Sequence, residues 1–194
     1  MTAETFRGFI IRWPALIALA LLGAPSSAAD APQLASGIEL PSLEGTALSG
    51  ESVSLPRDTR GHPAMLIIGF SKAASKITRP WLEGCRAPAV KSSGAGVNCY
   101  DVRMLEDVPK FFRGMMERGM RNGLPVDLQR QTLLVYSEND AWRRRVGAAD
   151  DKTAYVIGCD KEGRVRVTTT GEFGESELEK ALGKIEDVPA SGAD

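Results

Sequence analysis

Met65-Leu66-Ile67-Ile68-Gly69-Phe70, followed by Ser71-Lys72-Ala73-Ala74-Ser75-Lys76-Ile77-Thr78-Arg79-Pro80-Trp81, decides the fold class. The first six residues are an unbroken apolar run between Pro63 and Ser71, as a strand buried on both faces requires. Beyond it, Ile77, Trp81, Leu82 and Cys85 recur at near-helical spacing, which predicts a helix from Ser75 to about Ala87. Pro80 falls inside that helix, removes a backbone donor and is expected to kink or restart it.

Working outward toward the C-terminus, Val97 to Val102 has strand periodicity, and Pro109 suits the first turn of a second helix that ends at Asn122-Gly123. Phe111, Phe112, Met115, Met116 and Met120 share one face of that helix and read as a core stripe. Gln131 to Tyr136 predicts a strand, and Ser137 to Asp140 supplies caps for a short helix through Val146, stopped at Gly147. Thr153 to Gly158 and Val165 to Thr168 flank the turn Asp160-Lys161-Glu162-Gly163 as a hairpin, and Glu175 to Ile185 closes the chain as a helix.

Toward the N-terminus, Ile38 to Gly45 and Glu51 to Pro56 alternate around a turn, which predicts another hairpin. Strands alternating with helices call for parallel strands joined by right-handed crossovers, with the late hairpin adding an antiparallel edge. The expected fold is therefore α/β: a five-stranded mixed sheet with helices on both faces and an N-terminal β-hairpin, occupying residues 38–186.

The first 29 residues have a basic lead in Arg7 and Arg12, an apolar stretch from Ala15 to Leu22 and a small-residue cleavage site at Ser27-Ala28-Ala29. This is the pattern of a secretory signal peptide, so the protein is expected to be exported, periplasmic or secreted. The alternative is a membrane anchor left uncleaved, for which the apolar run falls short of the ~20 residues a span needs. Residues 30–37 read as a linker and 187–194 as a frayed tail. With 24 basic and 25 acidic residues, the net charge of −1 recruits neither nucleic acid nor an anionic membrane. The cluster Arg143-Arg144-Arg145 reads as a solvated helix face.

Three cysteines, Cys85, Cys99 and Cys159, are an odd number for an exported chain, allowing one disulfide with one thiol left over. No pair has Cys-x-x-Cys spacing, and with His62 the single histidine, a structural metal site lacks ligands. No metal and no cofactor are expected. One histidine also leaves no Ser-His-Asp constellation to read.

Leu40-Pro41-x-Leu43-x-Gly45, Val53-x-Leu55, the strand ending in Phe70 and the hairpin from Tyr155 to Asp160 with Gly163 together resemble the thioredoxin-like superfamily. The likeness is to its peroxiredoxin and exported thiol-disulfide oxidoreductase branch. That resemblance implies a nucleophilic cysteine about five residues past the strand's aromatic, at a helix N-terminus that lowers its pKa. Here that position is Ser75, and the second thiol position is Thr78. The proline that redox members carry before the late strand is also missing near Thr153 and Ala154. From Trp142 to Arg166 the chain shows a looser similarity to the mitochondrial ATP synthase assembly factor family.

Two functional readings follow. In the first, the protein is a redox-inactive thioredoxin-like module that binds or helps assemble an unknown protein partner. Its contact surface is then the face around Ser75, Lys76, Thr78, Trp81 and Thr153, with Trp81 as the anchor. In the second, it is a thiol-dependent oxidoreductase or peroxidase using relocated cysteines. Cys85 ends the first helix and Cys99 lies in the next strand, so the crossover brings them together as a structural disulfide or a switch.

Overall fold

Residues 34–87 and 96–186 are described by the computed structural model; the expected signal peptide and tail lie outside the described residues. The apolar run forms β3 (Ala64–Gly69), all six residues of which are buried. It is an interior strand of a seven-stranded sheet that also contains β1 (Leu43–Ala47), β2 (Ser52–Leu55), β4 (Asn98–Met104), β5 (Thr132–Val135), β6 (Tyr155–Cys159) and β7 (Val165–Thr170). The strand order is β2-β1-β5-β4-β3-β6-β7.

β3, β4 and β5 run parallel, while β6 and β7 add antiparallel strands beside β3. Seven strands replace the expected five because the first hairpin does not stand apart. β1 pairs antiparallel with β5 through Thr46↔Leu134 and Ala47↔Leu133, covering an edge that β5 would otherwise expose.

Among the described residues there are five α-helices: α1 (Ser75–Cys85), α2 (Lys110–Gly123), α3 (Val126–Gln129), α4 (Asn139–Val146) and α5 (Glu175–Glu186). Side chains alternate across the strands and so divide the interior into two layers. On one face, Leu66 and Ile68 of β3 join Val102, Met104, Leu133, Val135 and Trp142 of α4. On the other, Met65 and Ile67 pack with Trp81, Leu82 and Cys85 of α1, Leu128 of α3 and Leu178, Ala181, Leu182 and Ile185 of α5.

Three expectations need correction. α1 runs through Pro80 unbroken; the burial of Thr78, Trp81, Leu82 and Cys85 on both sides of the proline holds it to the sheet. Residues 34–37 are no linker. Leu34 is buried in the core and Gly37 N–H donates to the Val165 carbonyl at 2.7 Å, so the domain begins before Ile38. The apolar stripe of α2 is not a core face: no residue of that helix is buried, and Phe111, Phe112 and Met115 are 79%, 47% and 60% exposed. α4 ends where expected, at Gly147, whose φ of 62° is the left-handed conformation that suits glycine.

Candidate functional site

The chain leaves β3 at Gly69, and α1 begins six residues later. A Cβ on Gly69 would come within 3.1 Å of Ala74 Cβ and Thr78 Cγ2, so glycine allows the first turn of α1 to press against the strand end. Ser71 Oγ donates to the Asp151 carbonyl at 2.7 Å and also accepts Ala74 N–H at 3.3 Å. The N–H groups of Ser75 and Lys76 reach the Lys72 and Ala73 carbonyls at 3.3 Å, and those of Ile77 and Thr78 reach Ala74 at 2.8 and 2.9 Å. The donors usually free at a helix start are therefore taken up locally.

Beside this turn lies a cavity of about 520 Å³ between α1, α2 and the ends of β3 and β4. Ser75 and Thr78 line it, as do Asp101 and Arg103 from β4 and Met116, Gly119 and Met120 from α2. Asp101 and Arg103 alternate with Val102 and so point to the α1 side of the sheet. Both Nε and Nη2 of Arg103 contact Asp101 Oδ2, at 3.0 and 2.9 Å, and Arg103 Nη1 lies 3.4 Å from Met120 Sδ.

Asp101 is 2% exposed, yet its Oδ1 has no hydrogen-bond partner among the described residues. Thr78 is 1% exposed and its Oγ1 is unpartnered in the same way. Unsatisfied buried polar atoms each cost about 1–3 kcal/mol, so these two stand out among the residues around the cavity.

Of the residues expected to form the contact face, the cavity brings together Ser75 and Thr78. Lys76 is exposed outside the lining, and Thr153 is half-buried just before β6. Trp81 is fully buried; its Nε1–H donates to the Gly171 carbonyl at 3.0 Å and its ring meets Phe173 edge-on at 5.5 Å. It has no surface to offer a partner. The sequence reasoning missed Asp101 and Arg103, whose signal was a charged pair at the end of a segment of strand periodicity.

Cys85 and Cys99 form a disulfide with a Cα–Cα distance of 6.2 Å, and both are buried. It joins the last residue of α1 to the beginning of β4, roughly 15 Å along the helix from Ser75. Cys159 is the free cysteine, buried in the sheet, and burial followed by the charge of Asp160 pushes its thiol up to about 12. Among the described residues, no group of His, Cys, Asp and Glu side chains could hold a metal ion, and no helix is long and apolar enough to cross a membrane. The arginine cluster is committed to the fold in part: Arg143 pairs with Asp151 and stacks over Phe70 at 4.6 Å, and Arg145 lies over Trp142 at 5.0 Å.

No family model matches the sequence, and no curated protein does. Solved structures do match. A thiol:disulfide interchange protein from Bacteroides sp. is 20% identical at a TM-score of 0.53, covering 82% of this chain and 95% of its own. A peroxiredoxin-like protein from Aquifex aeolicus is 15% identical at a TM-score of 0.54, covering 80% and 90%. BsSco, of the Sco family of cytochrome c oxidase assembly proteins, is 11% identical at a TM-score of 0.53, covering 78% and 95%. Identities this low carry the architecture alone: the fold is thioredoxin-like.

Proposed function

We propose that the protein is an exported, redox-inactive thioredoxin-like module that binds or helps assemble a protein partner, with the cavity at the start of α1 as its binding site. One observation carries this: the helix start that would hold a reactive thiol has Ser75 and Thr78, both beside the cavity, and every sulfur of a cysteine is buried elsewhere. A hydroxyl is too weak an acid to leave in disulfide exchange. The spent N–H donors of the first turn would also do little to stabilise an anion there. Export rests on the N-terminal pattern and agrees with a disulfide, which persists in oxidising compartments. Fold analogy adds that one architectural neighbour belongs to a family of assembly proteins.

The second reading, thiol-dependent chemistry at Cys85 and Cys99, is favoured by their pairing and opposed by their burial, since exchange needs an accessible sulfur. Insulin reduction and peroxide consumption separate the two. Silence in both assays is expected; turnover that disappears in Cys85→Ser or Cys99→Ser would overturn the non-catalytic reading.

A further inference from the structure

α2 is the element that the core does not claim. Of the five large apolar side chains exposed among the described residues, three lie on it: Phe111, Phe112 and Met115. The rings of Phe111 and Phe112 stack at 4.3 Å. Phe111, Met115 and Arg118 follow one another four and three residues apart, so they form one stripe along the helix. At 3.6 residues per turn that stripe lies roughly 120° around the helix from Met116, Gly119 and Met120, which line the cavity. It is a separate surface, open to solvent.

The charges of α2 are one-sided as well. The helix carries four cations, Lys110, Arg113, Arg118 and Arg121, and one carboxylate, Glu117. Glu117 is already engaged: it accepts Tyr136 O–H at 2.7 Å and lies 3.5 Å from Arg121 Nη2. Arg113 is taken up by the Val108 carbonyl and the Tyr136 ring, and Arg121 by the Leu48 carbonyl. Lys110 and Arg118 remain exposed on the same helix as the apolar stripe, without an ion pair among the described residues. The carboxylates just before the helix, Glu106 and Asp107, accept the N–H and the side-chain amide of Asn139 at the start of α4. The near-zero charge of the whole chain conceals this local excess.

We propose that α2 docks on a bilayer surface containing anionic lipid, with Phe111, Phe112 and Met115 at the boundary of headgroups and acyl chains and Lys110 and Arg118 on lipid phosphates. A helix that carries aromatic side chains among Lys and Arg, and that its own domain leaves unburied, has the form that lies flat in a membrane interface. The flexible stems of Lys110 and Arg118 let their charges reach phosphates while the rings enter below them. A second copy of the chain would set four cations against four, so charge opposes that occupant. A bilayer needs no complementary pocket, and the stripe lies outside the cavity's lining. The docking surface is therefore distinct from the proposed partner site and does not rest on it.

The test places a reporter in the stripe with Phe111→Trp in the full chain and reads its fluorescence quenching by lipids brominated in the acyl chains. Quenching of the wild type, whose three tryptophans are common to both proteins, is subtracted. Extra quenching is expected with vesicles of phosphatidylcholine and phosphatidylglycerol in equal amounts, and it should fade with added salt. Vesicles of phosphatidylcholine alone should give none. Lys110→Gln with Arg118→Gln should weaken partitioning roughly 25-fold, about fivefold for each cation, whereas Arg118→Lys should leave it unchanged. These positions are exposed, so circular dichroism of the variants should match the wild type.

No extra quenching with anionic vesicles would overturn the proposal, even if the chain sediments with them through its N-terminal segment. Equal quenching in neutral vesicles, or partitioning that survives the double glutamine variant, would overturn it too. A dimer in vesicle-free buffer that Phe111→Ser disperses would assign the stripe to a second copy and likewise overturn it.

Discussion

α1 and α2 wall the same cavity, yet they are attached to the sheet by opposite means. α1 buries Trp81, Leu82 and Cys85 against β3 and α5 and is tied to β4 by the disulfide. α2 buries nothing and is held by polar contacts. Arg113 Nε–H donates to the Val108 carbonyl at 3.0 Å, Tyr136 O–H donates to Glu117 at 2.7 Å, and Arg121 Nε–H donates to the Leu48 carbonyl at 2.7 Å. The cause lies beneath them. Under α1 the strands present Met65 and Ile67, whereas beside α2 β4 presents Asp101 and Arg103, so the apolar stripe of α2 has no apolar floor to settle on. An amphipathic period tells which face of a helix is apolar; the strand below decides whether that face is buried.

The largest way to break this contrast is Trp81→Ala, which should cost about 3–5 kcal/mol in denaturant unfolding, as cavity formation in a core does. Removing the disulfide with Cys85→Ser and Cys99→Ser together should cost about 3 kcal/mol, since it closes a loop with a sequence separation of 14.

Tyr136→Phe, which loosens α2 alone, should cost about 1 kcal/mol and raise amide exchange in α2 while sparing α1. This effect should depend on pH. Burial, and then the hydrogen bond and charge of Glu117, raise the Tyr136 phenol above its ordinary 10.0. A group whose folded pKa is raised contributes stability that is full below the unfolded value and lost as pH climbs toward the folded one. The difference between wild type and Tyr136→Phe should therefore be constant from pH 7 to 9 and shrink at pH 11, read by denaturation at each pH. The smallest effect belongs to Phe111→Ser, within about 0.5 kcal/mol of wild type; a larger loss would show that the exposed stripe of α2 is packed after all.

Most of the scaffold was legible because it is written in local patterns. The apolar run of β3, the Asn122-Gly123 and Gly147 helix stops and the turn at Asp160 to Gly163 each specify their own geometry. The hairpin's union with β5 was not legible, since pairing of distant strands depends on edges that no local window contains. At the site, Ser75 and Thr78 were found by counting from Phe70. Asp101 and Arg103 were passed over because a charged residue inside a strand normally signals the solvent face, and only the position of α1 and α2 above β4 turns that face inward. Trp81 was misread as an anchor for the complementary reason: position on a helix face does not say which neighbour, here Phe173, has already claimed it.

The first turn of α1 sets a limit on how this protein could be re-engineered. Cysteines introduced at Ser75 and Thr78 would supply the spelling of a redox motif, but they would meet backbone donors already bonded to Lys72, Ala73 and Ala74. Such thiols would lack the local field that keeps a thiolate at neutral pH. Dithiol chemistry there would require opening the turn from Ser71 to Ala74 as well, so the main chain would have to change as much as the two side chains.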